Sequence, residues 1–411
     1  MALLDSKWTT TTLGSLCTVK RGASPRPIAD PAWFTDAGTG WVRIADVTAN
    51  GRYLRSTSQY LSEAGQSRSV AVEPGDVIMS IAASIGITAI VDMHACIHDG
   101  FVTFRNRQEC LDPVYLYHWL SFFGPKLSRH GQAATQANIN SEMVSKAEIH
   151  LPPLSDQHRV VEILDTWDAA SVGIAETIHN KNRHLRGLIQ QLLTGRRRMP
   201  AFAGEAWEEV PLGDLLCQVD RYVEWSDDAV YRLVSVRRRS GGFFDRERKP
   251  GSEILTKTLK TTRTGDFVIA RMQVLHGAMT VTPPEFDGAH VSDSYLTFVP
   301  KDQARLHMPF LGWLSKTPRM YYKAFRSSYG VAIEKMTFHL PWFMQETVSL
   351  PRSIDEQRAI ADILDTAQRE IELLEQLREQ IQLQKRGLMQ KLLTGEICVP
   401  GDEPVAEEVS T

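Results

Sequence analysis

The sequence predicts an α+β fold in which two mixed α/β domains are joined by two long helices that form an antiparallel coiled coil, with a pseudo-twofold internal duplication. Three observations predict this fold: a repeat 200 residues apart, a heptad pattern inside the repeat, and short strand-like segments elsewhere. We expect the mixed domains to span 1–152 and 199–351. We expect the helices to span 153–198 and 352–395, with an acidic tail at 396–411.

The duplication is visible in two pairs of matching segments, each separated by 200 residues. Residues 157–166 read QHRVVEILDT, and residues 357–366 read QRAIADILDT. Residues 186–195 read RGLIQQLLTG, and residues 386–395 read RGLMQKLLTG. The interior of each half drifts out of this register. A period this long exceeds that of a solenoid repeat, so the pattern indicates a duplicated two-part module.

Both matched segments carry the heptad pattern of a coiled-coil helix. Apolar residues recur at alternating spacings of four and three through 160–192, and again 200 residues later. Such a narrow seam, sustained over about five heptads and roughly 60 Å, requires a partner helix. Gly195 and Gly395 occupy the position of a helix C-terminal glycine. A pseudo-twofold axis would pair the two helices antiparallel, whereas the alternative is that each helix covers its own domain.

The two remaining blocks read as short strands and turns with a few short helices. Strand-like segments alternate with Gly and Asp, which are typical of turns. The predicted strands of the first block are 41–44, 76–79, 88–91 and 101–104. Those of the second block are 231–236, 266–269 and 295–299, and the predicted short helices are 113–123 and 309–326.

Composition places the chain among ordinary globular proteins. It has 411 residues, 43% of them apolar, and a formal net charge of −3. Its five cysteines include no CxxC pair, which favours free thiols in a reducing compartment. The N-terminus lacks the pattern of a signal peptide, and no apolar run approaches the roughly 18 residues of a membrane span. We therefore expect a cytoplasmic protein that does not bind membranes.

The net charge hides an uneven distribution along the chain. Residues 1–150 carry 13 basic and 13 acidic side chains, and residues 199–350 carry 19 and 18. Residues 351–411 carry 7 basic and 13 acidic side chains, so most of the excess negative charge lies there. Within the second block, residues 232–263 hold ten basic residues and three acidic ones. Local clusters of Arg, Lys, Gln and Asn suit contacts to DNA phosphates and base edges, although any single cluster also fits a solvated turn.

Catalytic motifs are weak. The sequence has neither a GxxxxGK[ST] phosphate loop nor GxGxxG. The segment Asp30-Pro31-Ala32-Trp33-Phe34 is only partly similar to the Asp-Pro-Pro-Tyr loop of amino-methyltransferases, since it lacks the second proline. Glu247 and Lys249, with Asp227 or Asp228, could form part of a nuclease motif, but exposed charges in turns explain them more simply.

A metal site is also weakly indicated. His94, Cys96 and His98 alternate along a strand-like segment and would share one face of it, which could suggest zinc. A fourth ligand is not evident in the sequence, so packed or exposed side chains are the simpler interpretation. We predict no metal on this chain.

The order of these features resembles the specificity subunit of bacterial and archaeal type I restriction–modification systems over essentially the whole chain. Two diverged blocks are each followed by an LP…DQ/EQ…ILD…LLTG helix about 200 residues apart. The further matching pieces are Leu13-Gly14, VKRGASP at 19–25, WVRIADV at 41–47, and Gly75-Asp76. The second block departs from the Arg-Gly-x-Ser-Pro pattern and reads VDRYV at 219–223.

The resemblance implies a target recognition domain in each block, each reading one half of a bipartite DNA site through the major groove. The paired helices would set the spacer between the half-sites and dock two methyltransferase (modification) subunits, which carry S-adenosylmethionine and methylate adenine. Restriction subunits, which use ATP and magnesium, would join this complex. The chain itself would be non-catalytic and would hold no cofactor.

Donor chemistry and clustering predict DNA-binding residues in both blocks. In the first block they are Lys20, Arg21, Ser24, Arg26, Arg43, Lys126, Arg129, Gln132, Gln136, Asn138 and Asn140. In the second block they are Arg237, Arg238, Arg239, Arg263, Arg271, Gln273, Lys323, Arg326 and Tyr329. Two competing hypotheses remain: a metal-dependent nuclease using Asp228, Glu247 and Lys249, and a coiled-coil adaptor with no role in binding nucleic acid.

Overall fold

The computed structural model describes residues 8–127, 139–330 and 336–399 of the chain. The chain divides into two compact units. Unit 1 comprises Met1–Ala175 together with Gln376–Thr411, and unit 2 comprises Glu176–Glu375. Each unit combines one set of mixed sheets with a stretch of each long helix.

Unit 1 contains twelve described strands and five short helices before the first long helix. The strands are β1 (Thr9–Thr12), β2 (Thr18–Arg21), β3 (Phe34–Thr35), β4 (Thr39–Val42), β5 (Tyr53–Leu54), β6 (Tyr60–Leu61), β7 (Val70–Val72), β8 (Val77–Ser80), β9 (Thr88–Val91), β10 (Ala95–Ile97), β11 (Phe101–Arg105) and β12 (Glu148–Leu151). The helices are α1 (Leu13–Leu16), α2 (Ile44–Asn50), α3 (Glu63–Gln66), α4 (Pro113–Leu127) and α5 (Ser141–Ser145). The long helix α6 (Leu154–Leu192) begins directly after β12.

Unit 2 contains twelve further described strands and four short helices before the second long helix. The strands are β13 (Trp207–Pro211), β14 (Leu216–Gln218), β15 (Val230–Val236), β16 (Phe243–Pro250), β17 (Leu259–Thr261), β18 (Phe267–Ala270), β19 (Met279–Val281), β20 (His290–Ser292), β21 (Tyr295–Pro300), β22 (Ser328–Tyr329), β23 (Thr337–Phe338) and β24 (Thr347–Pro351). The helices are α7 (Leu212–Leu215), α8 (Met308–Ser315), α9 (Pro318–Arg326) and α10 (Leu340–Gln345). The long helix α11 (Ile354–Leu393) follows β24.

The two units share one strand topology. In unit 1 the order β2-β11-β8-β9 forms a sheet with β5 at its edge, and in unit 2 the order β14-β21-β18-β19 forms its counterpart. A second sheet contains β6-β4-β10-β7 in unit 1 and β16-β15-β20-β17 in unit 2. In both, the two central strands are parallel and the outer ones antiparallel. The duplication seen in the sequence is therefore a duplication of fold.

A two-stranded ribbon closes each domain. β1 pairs antiparallel with β12, with Thr9 opposite Leu151. β13 pairs in the same way with β24, with Trp207 opposite Pro351. The first strand of each domain thus lies beside the strand that leads into the long helix.

The long helices pack together in each unit, and the contacts of unit 1 show the predicted antiparallel direction. In unit 1, Asp168 accepts a hydrogen bond from Lys385, and Ser171 accepts one from Gln382. Residue numbers rise along α6 while those of its partners fall along α11, so the helices have opposite directions. In unit 2, the heptad positions Leu185, Leu192, Ile360 and Leu364 pack in one apolar core.

The glycines that follow the long helices adopt the backbone conformation expected of them. Gly195 has φ 67° and Gly395 has φ 72°, both in the left-handed region that favours glycine. Their N–H groups donate to the carbonyls of Leu192 and Leu392. These bonds pair carbonyls of the last helical turn, which would otherwise lack intrahelical partners. Within the described ranges, no helix is both long and apolar enough to cross a bilayer.

Two local predictions were wrong. The single helix expected at 309–326 is two helices, α8 and α9. Pro318 has no backbone N–H and so cannot make the hydrogen bond that a continuous helix requires at that position. The Thr317 side chain instead caps the second helix. The strand expected at 41–44 ends at Val42, and Ile44 begins α2. The carboxylate of Asp46 accepts a hydrogen bond from the Arg43 backbone and stabilises this helix start.

Candidate nucleic-acid interface

In unit 1, Asp99 gathers three of the predicted DNA-binding residues. Arg21 Nε donates to the Asp99 backbone carbonyl at 2.7 Å, and Ser24 Oγ donates to the Asp99 carboxylate at 2.7 Å. Arg26 Nη2 lies 2.9 Å from the second carboxylate oxygen. The hydrogen bond from Ser24 is the main cause of the lowered pKa of Asp99, and the Arg26 charge adds to it against the effect of burial. An ionised Asp99 therefore holds the loop that follows β2.

These side chains border a hollow with a volume of about 370 Å³. Ser24, Arg26 and Arg43 lie on its wall together with Gln59 and Asp99. Arg43 and Gln59 also contact each other, with 3.4 Å between the guanidinium and the amide oxygen. The wall thus combines donors and acceptors, which is the chemistry needed to bind base edges. Gln59 and Asp99 were missed from sequence, because a single Gln and an Asp-Gly turn carry no distinctive spacing.

The other candidates of unit 1 lie elsewhere. Lys20 is exposed on β2, and Lys126 Nζ lies 3.6 Å from the centre of the Phe122 ring. Asn140 caps α5, since its side-chain oxygen accepts the N–H of Met143 at 2.8 Å. A structural role therefore occupies that oxygen. Four candidates, Arg129, Gln132, Gln136 and Asn138, lie outside the described residues.

In unit 2, the three consecutive arginines form the loop between β15 and β16. Arg239 and Ser240 have φ values of 58° and 49°, so two adjacent non-glycine residues adopt the left-handed conformation. Their N–H groups donate to the carbonyls of His276 and Gly277, each at 2.6 Å. These bonds hold the loop against 273–277. Backbone strain of this kind is concentrated at functional sites, where the surrounding structure maintains it.

The same loop brings two predicted residues into contact. Arg238 Nε donates to Gln273 Oε1 at 2.9 Å. This bond uses Nε of Arg238 and Oε1 of Gln273, so the terminal guanidinium nitrogens and the amide nitrogen take no part in it. Arg237 packs over the ring of Phe244 at 4.8 Å, and Arg271 is exposed next to Gln273. The arginine loop and 271–273 thus form one donor-rich surface.

The remaining candidates of unit 2 contact acidic or aromatic neighbours. Arg263 lies 3.3 Å from Asp287 in an exposed ion pair. Two more form a second group around one acid, since Lys323 and Arg326 lie 3.4 and 3.5 Å from Glu346. The ring of the last candidate, Tyr329, is half exposed and contacts the rings of His339 and Trp342.

One group of described residues has the spacing of metal ligands, and two cations occupy it. Ligand atoms of His118, Asp165 and Asp168 lie within 4.8 Å of one another. Arg52 Nη2, however, lies 2.6 Å from Asp165 and 2.8 Å from Asp168, and Lys385 contacts Asp168 as well. The carboxylates are already neutralised, so the arrangement is an ion-pair network and not an open ligand set.

Burial sets the protonation of His118 in this network. The side chain is 1% exposed, and burial, followed by the charges of Lys385 and Arg52, lowers its pKa to about 4. Burial raises the pKa of Asp165, but hydrogen bonding and charge from Arg52 outweigh that effect and lower it. A neutral His118 therefore donates from Nε2 to an ionised Asp165 across 3.3 Å.

The weak catalytic and metal motifs have structural roles. Asp30 caps a short helical turn by accepting the N–H of Ala32 at 2.9 Å. Glu247 pairs with Lys249 at 3.0 Å on β16, whereas Asp227 pairs with Lys257. Of the zinc candidates, His94 pairs with Glu73, Cys96 is buried, and His98 accepts the N–H of Gly100. Within the described part of the chain, none of these residues belongs to a group with metal-ligand spacing.

Two buried glutamines, overlooked as single residues, hold the start of each long helix. Gln157 accepts the N–H of Asp112 and donates to the carbonyls of Cys110 and Pro152. Gln357 makes the same three bonds in unit 2. Its partners are the N–H of His307 and the carbonyls of Arg305 and Pro351. The sequence signal that could have identified them is that Gln occupies the first position of both repeated segments, 157–166 and 357–366.

Comparison with known proteins supports the recognition hypothesis. The family model described as "Type I restriction modification DNA specificity domain" matches residues 5–181. The MjaVIII specificity subunit of a type I restriction enzyme from Methanocaldococcus jannaschii is 21% identical over 380 residues, which cover 87% of this chain and 88% of that protein. A putative specificity subunit from Haemophilus influenzae, S.HindORF215P, is 30% identical over 106 residues, 25% of this chain and 26% of that one.

Solved structures share the fold. The S subunit of a type I system from M. genitalium aligns with a TM-score of 0.55 at 13% identity, covering 96% of this chain and 98% of that one. A chain from a structure titled as the basis of complex assembly and conformational transition of the type I R-M system aligns with a TM-score of 0.59 at 17% identity. That alignment covers 96% of this chain and 99% of that one.

Proposed function

Because the chain belongs to the family of type I restriction–modification specificity subunits, we propose that it is a non-catalytic subunit that reads a bipartite DNA target. Each recognition domain, 1–152 and 199–351, reads one half-site. The supporting observation is the repeated strand topology, since two like domains on one chain suit two separate half-sites.

The helical regions 153–198 and 352–395 set the spacer and dock two methyltransferase subunits, which carry S-adenosylmethionine. Restriction subunits with ATP and magnesium complete the complex, which acts in the cytoplasm. Helix packing in each unit supports this assignment, because the length of a packed helix pair is fixed by the rise of each residue along the helix. The chain contributes no cofactor of its own.

Base reading is assigned to the hollow in unit 1 and the arginine loop in unit 2. Ser24, Arg26 and Arg43 present hydrogen-bond donors at the hollow. Arg238 and Gln273 do so in unit 2, where the terminal guanidinium nitrogens of Arg238 suit guanine and the amide nitrogen of Gln273 can donate to a base acceptor. Lys20, Lys323 and the candidate arginines that lie outside the hollow and the arginine loop are assigned to phosphate contacts. Such contacts orient the protein on DNA without reading its sequence.

The modular assignment is tested by exchanging one domain. Replacing residues 1–152 with the corresponding domain of a subunit of different specificity should change one half-site and leave the other half-site and the spacer intact. Methylome sequencing of cells expressing the exchanged complex measures this outcome. A change in both half-sites, or in neither, would contradict the assignment.

A further inference from the structure

We infer, on the basis of the proposed function, that Gln157 and Gln357 are positioning residues that set the spacing between the two half-sites. Each glutamine stands in the first turn of a long helix and is fully buried. Since neither side chain is exposed, both contact protein and not DNA. Their effect on recognition is therefore through the orientation of a domain on its helix.

The geometry of Gln157 joins three parts of unit 1. Its Oε1 accepts the Asp112 N–H at 2.9 Å, and its Nε2 donates to Cys110 O at 2.7 Å and Pro152 O at 2.9 Å. Cys110 and Asp112 lie in the segment that leads into α4, whereas Pro152 follows β12. The Gln157 side chain thus connects α6 to the end of β12 and to the segment that begins α4.

Gln357 repeats this geometry in unit 2. Its Oε1 accepts the His307 N–H at 2.9 Å, and its Nε2 donates to Arg305 O and Pro351 O, both at 2.9 Å. Arg305 and His307 lead into α8, and Pro351 ends β24. The two units therefore attach domain to helix through the same three bonds, although the surrounding side chains differ.

A second attachment point fixes the rotation of each helix. Asp165 and Asp365 follow the glutamines by eight residues, about 12 Å along a helix. Asp165 accepts a hydrogen bond from His118 on α4, and Asp365 accepts one from Trp313 on α8. Two contacts separated along the axis determine both where the domain sits on the helix and how it is turned. Loosening the first contact should therefore widen the range of domain positions.

The consequence for DNA is a change in spacer tolerance without a change in the bases read. Two half-sites bind together strongly only when the link between the domains matches their separation, and this advantage is lost when the geometry fails. A domain that is held less firmly on its helix discriminates less between the native spacer and spacers of other lengths. Its base-reading side chains, which lie on other surfaces, keep their arrangement.

The test uses the full methyltransferase complex with Gln157→Leu, Gln357→Leu and the double variant. Methylation rates are measured on duplexes that carry both native half-sites with spacers shortened or lengthened by one or two base pairs. We expect each single variant to reduce the preference for the native spacer about tenfold, with a larger loss in the double variant. Half-site preference, measured with single base changes, should match that of the unaltered complex.

The matched control is Gln303→Leu, which alters an exposed glutamine outside both long helices and outside the assigned DNA-binding residues, and which should leave the spacer preference unchanged. Should a leucine variant fail to assemble, Gln157→Glu and Gln357→Glu, which keep the oxygen acceptor and lose the amide donor, carry the same expectation. Spacer selectivity equal to that of the unaltered complex, or altered half-site bases, would overturn the positioning role. An unaltered complex that ignores spacer length would instead overturn the proposed function.

Discussion

The two units fasten their long helices with different chemistry at corresponding positions. In unit 1, Asp165 and Asp168 bind Arg52, and Lys385 pairs with Asp168. In unit 2, Asp365 accepts one hydrogen bond from the indole of Trp313 at 2.8 Å. Gln368 and Leu185 stand 200 residues from Asp168 and Lys385, so the charged partners have no counterparts there.

The difference shows which contacts at the junction between each domain and its long helix are common to both units. The buried glutamine and the aspartate eight residues later occur in both units with the same kind of partner. The network of Arg52 and Lys385 is specific to unit 1, whereas unit 2 adds a bidentate ion pair between Arg198 and the buried Glu356. We expect the Asp165 contacts of unit 1 to respond to pH and to loss of charge, and the corresponding Asp365 contact of unit 2 to respond less.

The largest effect is expected from removing the central cation of unit 1. Arg52→Met leaves Asp165 without its guanidinium partner, and the Arg52 side chain is only 16% exposed. We expect a loss of about 3 kcal/mol in the free energy of unfolding, at the lower end for an ion pair broken on one side. Chemical denaturation measures it.

Arg55→Met is the matched control for that variant. Arg55 pairs with Asp92 on the surface, where the side chains are 68% and 49% exposed. Exposed pairs contribute about 1 kcal/mol or less. Equal losses for the two variants would show that the unit 1 network is no more stabilising than a surface pair.

The next effect is a pH dependence that arises in unit 1. The pKa of His118 is about 4 in the folded chain, below the ordinary value of 6.5. Between these values the unfolded chain binds more protons than the folded chain, so stability falls as pH falls. The loss should approach about 3 kcal/mol from this group and be complete near pH 4, with little change above pH 6.5.

Denaturation across this pH range, compared with that of His118→Gln, isolates the contribution of the imidazole. The glutamine variant should lose stability less steeply between pH 6.5 and pH 4. Identical pH profiles for the two proteins would show that His118 does not titrate as its burial requires.

The smallest effect is expected in unit 2. Trp313→Phe removes the single hydrogen bond to Asp365 while keeping most of the aromatic packing. We expect a loss of about 1.5 kcal/mol, at the lower end for a hydrogen bond to a charged acceptor, because the bond is only partly buried. Trp225→Phe, which removes an exposed bond to Asp227, is the control and should cost less. A loss as large as that of Arg52→Met would remove the proposed difference between the junctions.

The parts of the fold that were predictable depend on local periodicity. Heptad spacing predicted α6 and α11, and their internal match predicted the duplication. Pro318 also signals the break between α8 and α9, and the prediction of one helix over 309–326 did not take this proline into account. The strand predicted at 41–44 extends too far, because the apolar residues of this segment continue past the end of β4 to the start of α2.

The candidate site was less predictable, because its contacts join residues that are distant in sequence. Asp99 lies 73 to 78 positions from Arg21, Ser24 and Arg26, and no spacing rule links them. Donor chemistry nonetheless selected those three residues, as it selected Arg238 and Gln273. It also selected Asn140, whose capping role depends on a helix start that the base-contact argument did not consider.

The ribbon that pairs the first strand of each domain with the last has a consequence for how such chains diversify. Thr9 lies opposite Leu151 and Trp207 opposite Pro351, so the polypeptide enters and leaves each domain at neighbouring points about 5 Å apart. A segment with adjacent ends can be replaced as a cassette without redirecting the flanking chain. In-frame recombination within the two strands of this ribbon would therefore replace a complete domain and leave the long helices unchanged.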